Sequence, residues 1–259
     1  MELTWNNLDT LESFRKLQSL KGQVHLKDVL DADRVFAYGT KGAEGLTYNY
    51  AAKQVNEQIL SVMQELADEA QLTEKFTALY EGEVINTGEK RKVLHHLLRG
   101  RLGKDVFYDT SAGTKNARDF YESQRTAIAD FARSVHSGKI TNEKGQTFTT
   151  VVQIGIGGSD LGPRALYLAL EEWAKAHGTK KADAYFISNV DPDDASHVLT
   201  SCVKDLSRTL FILVSKSGTT QETLANELLV KDFLTEAGLN PSKHMIAVTS
   251  ETSPLANNP

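Results

Sequence analysis

Cysteine is almost missing from this chain: Cys202 is the only one in 259 residues. A single thiol excludes an internal disulfide framework and any cysteine-based zinc cluster, and it suits a reducing compartment. Long apolar runs are missing too, and no stretch approaches the roughly 20 residues that a bilayer-crossing helix needs. The opening residues, Met1-Glu2-Leu3-Thr4-Trp5-Asn6-Asn7, contain no basic segment followed by an apolar one. The expectation is a cytoplasmic protein with no membrane partner. Excess positive charge is absent as well. A net charge of -5 offers no general attraction to nucleic acid or anionic lipid, so nucleic acid is not expected as a partner.

What is present is enough apolar material, 40% of residues, to bury a sizeable core as one large or two modest domains. Residues 1–146 alternate amphipathic helical patterns with polar turns. Within Tyr50 to Ala70, residues Val55, Ile59, Val62, Met63 and Leu66 recur at helical spacing. Leu72 to Tyr80, Arg91 to Leu98 and Asp119 to Val135 read as helices too, which makes this segment mainly α-helical.

Beyond the turn signals Gly138, Asn142 and Gly145 the period changes to short continuous apolar runs, Val151 to Ile156, Ala184 to Ser188, Leu210 to Val214 and Met245 to Val248. Such runs suit strands buried on both faces. Helical stretches lie between them, Pro163 to His177, Pro192 to Val203 and Thr220 to Glu236, two of which place proline at the expected first helical position. The order implies an α/β fold with a doubly wound, mostly parallel sheet over residues 147–259. The sequence stops just past the fourth strand with no further helix, so a truncated domain is expected.

Two turns stand out in that sheet. Gly155-Ile156-Gly157-Gly158-Ser159-Asp160-Leu161-Gly162-Pro163 and Ser215-Lys216-Ser217-Gly218-Thr219-Thr220-Gln221-Glu222-Thr223 each follow an apolar run and open a helical pattern. Unpaired N–H groups at a helix start favour an anion, and small side chains let it approach closely. Ser215, Ser217, Thr219 and Thr220 add hydroxyl donors, and Lys216 adds positive charge. Two such turns suggest one shared phosphate ligand. Glu222, three residues after Thr219, matches a capping box and could also orient a neighbouring group.

Other chemistries fail on spacing. Asp160 stands where a dinucleotide fingerprint needs its third glycine, and no acid follows at the ribose distance. Lys216 precedes Ser217 and Gly218, so no Walker motif is present. The seven histidines, His25, His95, His96, His136, His177, His197 and His244, show no metal-ligand spacing. Asp191, Asp193 and Asp194 flank Pro192, where a helix start favours acids for its own sake. No nucleophile, base and orienter triad can be pointed to.

These two turns closely resemble those of the glucose-6-phosphate isomerase family, whose sugar isomerase domains bind phosphosugars on a doubly wound sheet. In the helical half, Gly82-Glu83-Val84-Ile85-Asn86, Arg91, Val93-Leu94-His95 and Leu98-Arg99 are similar to a segment preceding the sheet in the same family, and Ser188-Asn189-Val190-Asp191 also fits. The resemblance is weakest over the first 35 residues or so. It implies that Gly157, Gly158, Ser159, Ser215, Lys216, Ser217, Gly218, Thr219 and Thr220 line a sugar-phosphate site, and that Glu222 supports a catalytic histidine. Ser217-Gly218 departs from the pattern, many members having threonine and phenylalanine there.

The implied reaction is reversible aldose–ketose isomerisation of glucose 6-phosphate and fructose 6-phosphate through an enediol, with no metal or organic cofactor and with a homodimeric enzyme. The family's glutamate, arginine, histidine and lysine for the chemical step lie in motifs beyond Pro259. This chain is therefore expected to contain no catalytic residue and to turn over negligibly alone. The alternative is a non-catalytic sugar-phosphate-binding or sensing module. A fused DNA-binding region would mark that alternative, and the helical half shows no basic recognition helix.

Overall fold

The computed structural model describes residues 3–257 apart from Thr87, Glu89, Ser111 and Ala112. It divides into two compact units, Met1–Gln124 and Arg125–Pro259. The first holds α1 (Glu12–Ser19), α2 (Leu26–Val29), α3 (Ala32–Ala37), a hairpin of β1 (Gly39–Lys41) and β2 (Thr47–Asn49), α4 (Glu57–Glu69), α5 (Leu72–Tyr80), a hairpin of β3 (Phe107–Thr110) and β4 (Gly113–Asn116), and the start of α6 (Ala117–His136). Leu20, Val24 and Ile59 form one small core, and Leu97, Val106 and Ala117 form another.

Local chemistry explains where these helices begin. Leu11 offers α1 no capping oxygen, and Glu69 at the end of α4 accepts instead from the N–H groups of Glu12 (3.1 Å) and Ser13 (2.9 Å) and from the Ser13 hydroxyl. The Ser13 hydroxyl bond, with help from its N–H, holds the Glu69 carboxyl below the usual carboxylate range. Asn56 caps α4 by accepting from Ile59 N at 2.8 Å. The helix expected from Tyr50 starts only at Glu57 because the buried Arg34 guanidinium takes the carbonyls of Ala51, Lys53 and Val55 at 2.8–3.0 Å.

Two expectations for this half need correction. Arg91 to Leu98 is not a helix: Arg91 bridges Asn86, and only His95–Leu98 forms a single 3-10 turn. Leu94 sits at φ -120°, outside helical space, so one turn nucleates without propagating. The two hairpins were not foreseen, since their strands are only three or four residues long and largely exposed, too short to show an apolar alternation.

The second unit is the sheet. Its elements run β5 (Thr150–Ile154), α7 (Gly158–Ala176), β6 (Asp183–Ile187), α8 (Pro192–His197), β7 (Thr209–Val214), α9 (Gln221–Glu236), α10 (Pro241–His244) and β8 (Met245–Val248). The four strands pair in parallel in the order β6-β5-β7-β8, with Ile154 opposite both Ile187 and Leu213. Alternation along the strands splits the apolar residues between two faces. Val152, Ile154, Ile187, Phe211 and Leu213 pack against Val198, Leu199, Val230 and Leu234, while Leu210 packs with Val135 of α6 and Phe148. Burying Phe211, Ile154, Ile187 and Leu234, each below 2% exposed, contributes roughly 1.5–3 kcal/mol apiece.

The strands fall where the apolar runs placed them, to within two residues at each end. The helices differ in three details. Pro192 does open α8, where Asp191 accepts from the N–H groups of Asp193 (3.0 Å) and Asp194 (3.2 Å), but α8 ends at His197 and continues as a π turn over Val198–Cys202. Pro163 is not at a helix start. α7 begins at Gly158, so Pro163 is its sixth residue and the glycines are part of the first turns. After β8 the chain forms a 3-10 turn, Pro254–Asn257, whose Leu255 joins the main core.

Candidate functional site

The chain leaves β5 for β6 at one edge of the sheet and leaves β7 for β8 at the other, so strand order reverses between β5 and β7. Crevices in open α/β sheets form at that point, outside the carboxyl ends of the strands. Both glycine-rich turns sit there. Ile154 pairs with Leu213, which sets Gly155 beside Val214 on strands spaced about 4.8 Å apart. α7 and α9 both start at this crevice and bring their positive ends to it.

In the first turn Gly157 is the N-cap of α7 at φ 57°, ψ -120°, a conformation that an L side chain adopts only under strain. Its carbonyl accepts from Asp160 N (3.0 Å) and Leu161 N (2.8 Å), which closes the helix start. Gly157 and Gly158 are exposed, and their N–H groups meet no acceptor among the described residues. Ser159 is half-buried, its N–H donating to Ile156 O. Asp160 is buried but pairs with Arg164 at 3.0 Å, so its carboxylate does not oppose an anion at the helix end.

The second turn is braced from within. The buried Ser215 hydroxyl accepts from Gly218 N at 3.1 Å and lies 3.1 Å from Thr220 Oγ1. Ser217 Oγ accepts from both the N–H (3.2 Å) and the hydroxyl (3.0 Å) of Thr219. Lys216, Ser217 and Thr219 face solvent, Thr220 is half-buried and Gly218 is buried. The pairing of β5 with β7 thus sets the turn holding Gly157, Gly158 and Ser159 and the turn Ser215 through Thr220 at the carboxyl ends of adjacent strands.

Glu222 departs from expectation in one respect. Thr220, not Thr219, is the N-cap of α9, so Glu222 is the second helical residue and no side-chain capping bond forms there. The Thr219 hydroxyl donates to Ser217 Oγ, and the capping box fails because Thr219 lies one residue before the cap position. Glu222 still lies in the first turn, where the helix field favours an acid. Asn189, at the end of β6, accepts through its carbonyl from Asn226 of α9 at 3.1 Å. Sequence reading missed Ser253, which packs over Gly218, and Gln153, which donates to the Ser159 carbonyl at 2.8 Å. Neither lies in a motif, and nothing local in sequence links Ser253 to Gly218.

Among the described residues, no group of three or more His, Cys, Asp or Glu is placed to hold a metal ion. No described helix is long and apolar enough to cross a membrane.

Residues 49–257 match the family model for phosphoglucose isomerase. The chain belongs to the phosphoglucose isomerase family. Relatives named glucose-6-phosphate isomerase include one from Treponema denticola, 54% identical over 99% of this chain and 49% of its own length. One from Treponema pallidum is 52% identical over 99% and 48%. Among solved structures, a glucose-6-phosphate isomerase from Chlamydia trachomatis aligns with a TM-score of 0.74 at 32% identity, covering 96% of this chain and 46% of that one. The chain spans about half the length of the relatives it matches.

Proposed function

We propose that this chain supplies the phosphate-holding part of an aldose–ketose isomerase that interconverts glucose 6-phosphate and fructose 6-phosphate through an enediol. The observation that carries the reading is the meeting of two helix starts and a hydroxyl-rich turn at the switch point between β5 and β7. The relatives' name supports the choice of sugar phosphate.

In this reading the N–H groups of Gly157 and Gly158 and the hydroxyls of Ser159, Ser217 and Thr220 donate to phosphate oxygens, Thr219 orients the Ser217 hydroxyl by donating to it, and Lys216 balances part of the dianion. Ser215 and Gly218 shape the second turn, and Glu222 supports a histidine of the chemical step. Residues 147–259 act as the sugar-phosphate-binding domain. The whole enzyme is a cytoplasmic homodimer that needs neither metal nor organic cofactor.

Isomerisation also requires a base over the carbon acid, a cation for the enediolate and an acid for ring opening. The two turns contribute hydroxyls, one ammonium and N–H groups, which grip a phosphate but do not move a proton between carbons. Phosphate binding energy accelerates the reaction only when the reacting end is gripped as well. Turnover by these 259 residues alone is accordingly negligible.

Calorimetric titration of the chain with fructose 6-phosphate tests the reading, beside a Lys216→Ala, Ser217→Ala variant whose circular dichroism matches. Losing one charged and one neutral donor is expected to weaken binding at least tenfold. Equal affinity in the variant, or equal affinity for unphosphorylated fructose, overturns it. A coupled isomerase assay on both proteins checks the turnover claim, and activity abolished by the double substitution shows that a base is present.

A further inference from the structure

One carbonyl in the first turn of α7 lacks its helical donor. In a regular helix Ser159 O accepts from the N–H four residues on, and that residue here is Pro163, which has none. The proline ring also crowds that same carbonyl and pushes it off the helix axis. An orphaned, displaced C=O in a half-buried place costs stability unless another donor reaches it. Gln153 does so: its Nε2 donates to Ser159 O at 2.8 Å. Gly155 clears the space, because a Cβ there would lie 2.7 Å from Ser159 O and 3.0 Å from Ser159 Cβ.

Three residues separated in sequence therefore converge on one oxygen. Pro163 removes its ordinary partner, Gly155 lets it approach the sheet, and Gln153, held in the fourth position of β5 between β6 and β7, replaces the missing donor. The consequence reaches the candidate site, because Ser159 follows directly on the two exposed N–H groups at the head of α7. Fixing the Ser159 carbonyl to a central strand fixes where those N–H groups point.

We infer that Gln153 is a positioning residue for the phosphate cradle, acting through the Ser159 carbonyl that Pro163 leaves without a helical donor. The claim about ligand binding rests on the phosphate-holding reading above. The claim about the hydrogen bond stands on the geometry alone.

A double-mutant cycle tests both. Gln153→Leu keeps the approximate volume and removes the donor. Pro163→Ala restores the helix's own N–H to Ser159 O and so makes Gln153 dispensable. Gln153→Leu is expected to lower the thermal midpoint and to weaken fructose 6-phosphate binding roughly five- to tenfold, the range set by one unsatisfied carbonyl. Pro163→Ala alone is expected to leave binding within about twofold of the parent, and Gln153→Leu with Pro163→Ala to return to it.

Recovery in the double variant is a result that loss of packing at position 153 would not produce. The inference is overturned if Gln153→Leu binds and melts like the parent, or if the double variant is as impaired as Gln153→Leu. Should the parent chain fail to bind fructose 6-phosphate, the phosphate reading falls and the positioning claim falls with it. The melting cycle still decides separately whether Gln153 substitutes for the missing Pro163 donor.

Discussion

Gly218 and Ser253 lie so close that the Ser253 hydroxyl fills the space a Cβ on Gly218 would need. Gly218 is also at φ 68°, and both residues are buried. The serine comes from the segment after β8, and its Oγ accepts from Leu255 N at 3.1 Å. Gly218→Ala is expected to cost about 2–3 kcal/mol through collision and positive φ together. Ser253→Gly added to it should recover the collision part alone. Chemical denaturation of both variants measures this, and full recovery would show that the backbone conformation imposes no strain.

A second prediction concerns pH. Glu171 of α7 receives Lys180 Nζ at 2.9 Å and the Tyr167 hydroxyl at 3.0 Å, and Lys175 Nζ lies 3.1 Å away. Chiefly through the Lys180 bond, its carboxyl is lowered to about 2 from an ordinary 4.5. A depressed carboxyl contributes stability above its unfolded value and loses it as pH falls through the folded one. The melting temperature should therefore drop between pH 4.5 and about 2, and Glu171→Gln should flatten that part of the profile. Parallel profiles for the two proteins would contradict the assignment. Tyr167 also accepts from Ala184 N of β6 at 3.1 Å, so the cluster ties α7 to the sheet edge.

His244 carries a larger structural role than its place in a four-residue helix suggests. It is wholly buried, with Nδ1 2.9 Å from Thr209 O, Nε2 2.8 Å from Glu143 Oε2, and its ring edge-on to Phe148. His244→Ala leaves a cavity and takes the ring partner from the buried Thr209 carbonyl. The expected cost is about 3–4 kcal/mol, read by urea denaturation. A loss below about 1 kcal/mol would mean that water replaces the ring without penalty.

Thr223 points the other way. Its Oγ1 is buried near the start of α9 with no hydrogen-bond partner among the described residues. Thr223→Val keeps the shape and removes the desolvated hydroxyl, so it is expected to be neutral or to stabilise by up to about 1 kcal/mol. Destabilisation beyond about 1 kcal/mol would show that the hydroxyl has a bound partner in solution.

Much of this architecture was legible because buried parallel strands read as continuous apolar runs. β7 and β8 needed no long-range information to be found, and the amphipathic spacing of Leu72 to Tyr80 fixed α5. Polar strands such as β1 and β4 were not legible, because their pairing depends on turns and on exposed backbone, which no apolar pattern records. Capping signals were read one residue out at Thr219 and five residues out at Pro163, since only the folded turn decides which hydroxyl is still free and which carbonyl has lost its donor.

By itself, the sequence determined that two glycine- and hydroxyl-rich turns follow two buried strands, because glycine, hydroxyl and lysine at those places express local backbone and charge preferences. It did not determine that the turns sit at the ends of adjacent strands. The strand order β6-β5-β7-β8 did, by making β5 and β7 neighbours with their exits running to opposite edges. Nor could sequence alone set Gln153 against the Ser159 carbonyl or Ser253 against Gly218. Those contacts join separate segments through hydrogen bonding and excluded volume, which act only once packing has brought the atoms within reach.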